Sequence, residues 1–105
     1  MKKLISLILI IIVLSSSTAF ALSDKEIHRY INKNYPIIKE ENIKVHPVTM
    51  IYVNWDALYA INKIQINKIH VVSYRMLDIV LQHELVHHYC WKERKNIDIE
   101  HKLCF

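Results

Sequence analysis

His83, Glu84 and His87 stand in an H-E-x-x-H order, His83-Glu84-Leu85-Val86-His87. On a helix turning about 100° per residue, the two histidines lie about 40° apart with Glu84 beside them, so all three reach one cleft. Two neutral imidazoles one turn apart can hold a single Zn²⁺, and the adjacent carboxylate is placed to take a proton from a metal-bound water. That is an arrangement suited to metal-dependent peptide hydrolysis. In a chain with seven His and six Glu, chance alone supplies such a motif with a frequency of roughly 0.03, before any demand for helical context.

The element that must present these residues reads as the longest helix, capped by Ser73 and running from Tyr74 to about Lys95. Met76, Leu77, Ile79, Val80, Leu81, Leu85 and Val86 make it apolar around most of its circumference, which predicts a buried helix. Burying His83, Glu84 and His87 without a partner would be costly, so the context favours a metal site over a chance cluster. Lys92-Glu93-Arg94-Lys95 suits the negative end of the helix dipole, and Asn96 is the expected left-handed stop.

The preceding chain supplies the support. Lys2 and Lys3, the apolar run Leu4 to Leu14 and the Ala19-Phe20-Ala21 site have the form of a secretory signal peptide, cleaved after Ala21. This run of eleven residues, apolar except for Ser6, is too short for a bilayer span of about twenty, so no stable membrane anchor is expected and the address is secreted or periplasmic. Two domain-level segments follow: residues 1–21 as signal and residues 22–105 as one small domain. The whole chain carries 14 Lys and Arg against 10 Asp and Glu; without Lys2 and Lys3 this becomes 12 against 10, a net of +2. That charge, with no basic patch interleaved with aromatics, gives no reason to expect nucleic acid as a partner.

A domain this small has a marginal core and is expected to need a staple. Cys90 and Cys104 are the two cysteines, and an even count in an oxidising compartment favours one bridge between them. Ser23-x-x-Glu26 has the form of a capping box and opens a first helix, with Ile27, Tyr30 and Ile31 as its apolar stripe and Asn34-Tyr35-Pro36 as its end. Ile43–His46 and Val48–Asn54 read as short strands divided by Pro47, or as one bent strand. Trp55 to Asn62 reads as a connection, and Lys63–Asn67 alternates as a half-buried strand does. Asp98 is placed to cap a last short helix, Ile99 to Phe105. Glycine is absent, so phosphate-cradling loops and nucleophile elbows have nothing to build from. The order describes a small α+β domain: N-terminal helix, short antiparallel or mixed sheet with an edge strand, long H-E-x-x-H helix and short C-terminal helix.

The strand Lys63-Ile64-Gln65-Ile66-Asn67, the cap, and Leu81-Gln82-His83-Glu84-Leu85-Val86-His87-His88 resemble the edge strand and active-site helix of the zincin metallopeptidases. The resemblance implies His83 and His87 as zinc ligands, Glu84 as general base, and a peptide or protein substrate held along the edge strand by strand addition. Metzincins carry Gly three residues after the second motif histidine and His or Asp six after; Cys90 and Glu93 stand there instead, which sets that class aside. Gluzincins and SprT-like proteins take the third ligand from a following helix. His101, in His101-Lys102-Leu103-Cys104-Phe105, resembles the segment that carries the third histidine in SprT-like domains and is the first choice. Glu100 is the alternative, then Glu93. A spacing argument agrees: Cys90 follows His87 by three and Cys104 follows His101 by three, so a bridge would draw His101 towards the metal.

Two rival readings share these residues. His87, Cys90, His101 and Cys104 could form a closed, structural His₂Cys₂ zinc site. A non-catalytic zinc-binding or interaction protein on the same scaffold is the other, and a chain this short leaves room for a protein partner that completes the cleft. His88 is expected at the helix surface or in a supporting contact, Asp78 at the helix surface, and His28, His46 and His70 in structural or solvated roles. Tyr74, Tyr89 and Trp91 are expected chiefly in packing.

Overall fold

The computed structural model describes residues 22–105, so the signal segment 1–21 and its cleavage site lie outside the described residues. Those residues form a small α+β domain of three helices and a three-stranded mixed sheet. In chain order these are α1 (Asp24–Asn34), α2 (Pro36–Glu40), β1 (Lys44–Val48), β2 (Ala57–Ala60), β3 (Lys63–Asn67) and α3 (Tyr74–Arg94). Among the described residues, no helix is long and apolar enough to cross a membrane.

The capping box of α1 forms as the sequence predicts. Glu26 N–H donates to Ser23 Oγ at 3.1 Å, and Ser23 N–H donates to Glu26 Oε1 at 3.3 Å. Ile27 and Ile31 turn inward from this helix. Pro36 then opens α2, a short helix the sequence reading lacks; its Ile38 adds to the same core. A missing N–H costs nothing at the first helical position, which is why Pro36 both stops one helix and starts another.

Lys63–Asn67 is a strand with the expected bounds, but it is the central one. The order is β1-β3-β2, with β1 parallel and β2 antiparallel to β3. The edge strand beside α3 is therefore β2, in the stretch expected to be a connection. Its alternation is weak because Ala57 and Ala60 are small and Leu58 faces out, leaving only Tyr59 buried. Pro47 does not divide two strands; it sits inside β1, tolerated because β1 is an edge. β1 ends at Val48, and the following loop is pinned by Asn67, which is fully buried. Asn67 Oδ1 accepts from the N–H groups of Met50 and Ile69, and its Nδ2 donates to the carbonyls of Met50 and Trp55.

Ile64 and Ile66 of β3 pack with Leu77, Val80 and Leu81 of α3, with the α1 and α2 isoleucines, and with Val71. Ser73 Oγ caps α3 by accepting from Met76 N–H at 3.2 Å. The helix is not buried all round: Ile79 is 60% exposed, because one face looks over the cleft instead of the core. Its left-handed stop is Lys95 (φ 56°), one residue before the expected Asn96.

The expected C-terminal helix does not form; residues 97–105 are irregular, with a turn at 99–100 and a bend over 101–103. Asp98 and His101 both adopt left-handed backbone, φ 58° each, which interrupts any helix. The Asp98 carboxylate instead gathers the N–H groups of Lys102, Leu103 and Cys104 at 2.9, 3.0 and 2.7 Å. Cys90 and Cys104 are joined, Cα to Cα 6.0 Å, which ties this loop to α3 as the cysteine count predicts.

Candidate metal centre

The geometry of α3 carries His83 and His87 to the same side, and the loop after it returns His101 to meet them. His83 Nε2 lies 3.0 Å from His101 Nε2 and 3.3 Å from His87 Nε2. The three ring centroids form a nearly equilateral triangle with sides of 5.0, 4.9 and 4.9 Å. These three residues are a group that could hold a metal ion.

The donor set fits a cation better than it fits hydrogen bonding. His87 Nδ1–H donates to the carbonyl of Ile97, leaving the Nε2 lone pair facing His83. Burial, followed by the neighbouring imidazoles of His87 and His101, holds His83 below its ordinary value, which favours its neutral, ligating form. One proton can bridge only one pair of these nitrogens, so three converging lone-pair atoms ask for a shared positive centre. Two nitrogens bound at 2.0–2.1 Å in tetrahedral directions stand about 3.3 Å apart, close to the observed spacings.

Glu84 is buried beside this group, and burial pushes its carboxyl up to about 7. It lines a hollow of about 240 Å³ together with His83, His87, His101, Trp55, Ala57, Leu58, Tyr59, Ile97 and Ile99. The edge strand β2 thus forms one wall, α3 the other, and the C-terminal loop the end. Phe105 packs against all three imidazoles, with ring centroids 4.6, 4.7 and 4.6 Å away.

Glu100 does not join the group. It lies exposed near Lys102 Nζ at 3.4 Å, and Glu93 is exposed on α3. Cys90, Asp98 and Cys104 form a second cluster of possible ligands, but its two sulfurs are bonded to each other and its carboxylate is taken by backbone N–H groups. The His₂Cys₂ arrangement is not formed for the same reason.

Two supporting residues are placed by the fold. Of the two places expected for His88, it takes the supporting contact: it is buried, not at the surface, in a chain of hydrogen bonds. The Glu41 carboxylate accepts from His88 Nε2–H at 3.0 Å, which in the neutral ring makes Nδ1 the acceptor of the Tyr59 hydroxyl at 2.8 Å; Tyr59 Oη in turn accepts from Asn62 N–H. Lys92 Nζ reaches both oxygens of Glu41. Lys92, then His88, hold the Glu41 carboxyl below its ordinary value. Tyr59 also lies parallel to His87, centroids 6.4 Å apart, so the edge strand is fixed against the helix beside the site. Asp78 is no idle surface residue: it accepts from the hydroxyls of Tyr30 and Tyr35, joining α3 to α1 and to the junction between α1 and α2. Tyr74 stacks on Tyr30 at 4.5 Å, at the far end from the cleft.

Searches against protein-family models, curated proteins and solved structures return no match for this chain.

Proposed function

We propose that the protein is an exported zinc metallopeptidase, zincin-like in layout, with His83, His87 and His101 as ligands and Glu84 as general base. The observation that carries this reading is the convergence of three imidazole nitrogens next to a buried carboxyl in an open cleft. Zinc bound there would supply a Lewis acid that polarises the peptide carbonyl and acidifies a water molecule.

The remaining work falls to the chain's own groups. Glu84 takes the proton of the attacking water and returns it to the departing amine nitrogen as the C–N bond breaks and the carbonyl carbon gains the water oxygen. A carboxyl displaced upward to about 7 has the basicity for that transfer near neutral pH, and a cation held by the three histidines would draw it down towards the ionised form. The free edge of β2 offers unpaired backbone groups to an extended substrate. Tyr59 cannot turn to the substrate, because its hydroxyl is committed to His88.

Glu84→Gln tests the mechanism. The variant should retain one zinc per chain by elemental analysis while hydrolysis of an unfolded protein substrate falls by at least ~100-fold. Retained hydrolysis in a pure preparation contradicts the reading. Zinc bound by the wild type with no turnover favours the non-catalytic binding protein instead.

A further inference from the structure

β2 is four residues long and lies at an edge of the sheet, and Tyr59 is its one buried side chain. Beyond the ladder to β3, its seat against α3 rests on that residue. Tyr59 stands parallel to His87 and edge-on to His88, with ring centroids 6.4 and 5.7 Å away, so it also sets how far β2 stands from the metal centre. Its hydroxyl accepts from the N–H of Asn62, in the turn that joins β2 to β3.

The other end of this chain of hydrogen bonds lies 47 residues from His88 in sequence, at Glu41. Glu41 closes α2, where its N–H donates to the carbonyl of Ile37, and its carboxylate meets His88 Nε2. An ionised carboxylate only accepts, so Nε2 carries the imidazole proton and Nδ1 is left to accept from Tyr59. Each group then has one orientation that satisfies its neighbours, and among the described residues no buried side-chain N or O lacks a partner. A satisfied buried network specifies a single arrangement, which apolar packing at the same place would not do. Without the Glu41 acceptor, Nε2–H becomes a buried donor with no partner, and the ring gains by moving its proton to Nδ1. Nδ1–H then faces a hydroxyl already occupied by Asn62, and the Tyr59 anchor loosens.

Resting on the reading of β2 as the edge that holds a peptide, we propose that Glu41 and His88 are positioning residues for peptide binding: Glu41 fixes the tautomer of His88, His88 fixes Tyr59, and Tyr59 keeps β2 in place beside the metal centre before a peptide arrives. A strand that is already ordered takes nothing from the affinity for its own ordering. The two residues act on how tightly a peptide is held and not on whether zinc is bound.

The zinc-loaded Glu84→Gln protein serves as parent for the test, with Glu41→Ala, Glu41→Gln and Glu40→Ala, an exposed neighbour, each made in it. Proton–nitrogen NMR of the imidazoles reads which ring nitrogen of His88 is protonated, and hydrogen exchange reads the β2 amides. Fluorescently labelled, reduced and carboxymethylated lysozyme is titrated as an unfolded-chain probe. The parent should show His88 protonated at Nε2. Glu41→Ala should lose that tautomer, exchange its β2 amides at least ~10-fold faster and bind the probe about 10-fold more weakly, at unchanged zinc content. Glu41→Gln keeps an acceptor oxygen and should restore all three, whereas Glu40→Ala should change none. With Glu84 in place, the effect of Glu41→Ala should fall on KM, with kcat within about two-fold. A parent protonated at Nδ1, or a changed tautomer in Glu41→Ala with exchange and binding unmoved, overturns the inference and leaves hydrolysis standing. Loss of zinc together with binding in Glu41→Ala marks a merely structural role and overturns it too. Binding that follows Glu41 as expected, without cutting by the protein that retains Glu84, overturns hydrolysis and leaves the positioning role standing. A parent that binds no probe removes both the peptide-holding edge and this inference.

Discussion

His101 differs from the other two histidines in what holds it. His83 and His87 are set by one turn of helix, whereas His101 sits at φ 58°, on left-handed backbone that a non-glycine residue adopts only at a cost. Such a conformation persists where the surroundings over-determine it. On the proposed assignment His101 is itself a ligand, so His101→Ala should weaken zinc binding by more than the roughly 10- to 100-fold typical of losing a supporting partner. Glu100→Ala should leave zinc affinity unchanged, and competition titration with a chelating dye measures both. The motif pair and Glu84 were readable because helical periodicity converts sequence spacing directly into position. His101 rested on resemblance and on the spacing to Cys104. Asn67, His88 and Glu41 were not readable as partners, because each meets groups that only the tertiary fold brings near.

At the scale of elements, the loop 97–105 and the strand β2 do the positioning. The Asp98 carboxyl is pushed up by burial, but the backbone N–H groups of Cys104, Lys102 and Leu103 outweigh that and leave it below its ordinary 3.8. A folded value below the unfolded one means that its contribution is present above about pH 4 and is lost as pH falls through the folded value. Asp98→Asn should therefore flatten the acid limb of the metal-free protein's stability curve below about pH 4, measured by circular dichroism. An unchanged slope there would count against the clamp. The same variant should lose about 10- to 100-fold in zinc affinity with α3 still helical. Beside β2, Tyr59→Phe leaves the buried His88 Nδ1 without its donor. A loss of about 1–3 kcal/mol, read by urea denaturation, is expected. β2 escaped the sequence reading because Ala57, Leu58 and Ala60 give almost no alternation, while β3, with Ile64 and Ile66 buried between polar neighbours, showed its strand directly. The C-terminal helix failed for a converse reason: its local cap signal was real, but Asp98 caps a turn.

For the whole molecule, the Cys90–Cys104 link ties the loop that carries His101 to α3, whose Leu77, Val80 and Leu81 belong to the hydrophobic core. With a sequence separation of 14, that link is worth about 3 kcal/mol in the chain-entropy picture. Reduction by a dithiol should lower the thermal midpoint by roughly 4–8 °C per kcal/mol lost, followed by calorimetry on the metal-free protein. It should also reduce zinc affinity by freeing the loop that carries His101. An equal midpoint with and without reductant would show that the core alone holds the domain.

The central claim is that three imidazoles, and no sulfur, converge on one cation beside Glu84. X-ray absorption on the zinc-loaded protein tests it most directly. The account predicts three histidine nitrogens and one oxygen at about 2.0–2.1 Å. A zinc–sulfur shell near about 2.3 Å, or fewer than three imidazoles, would contradict it.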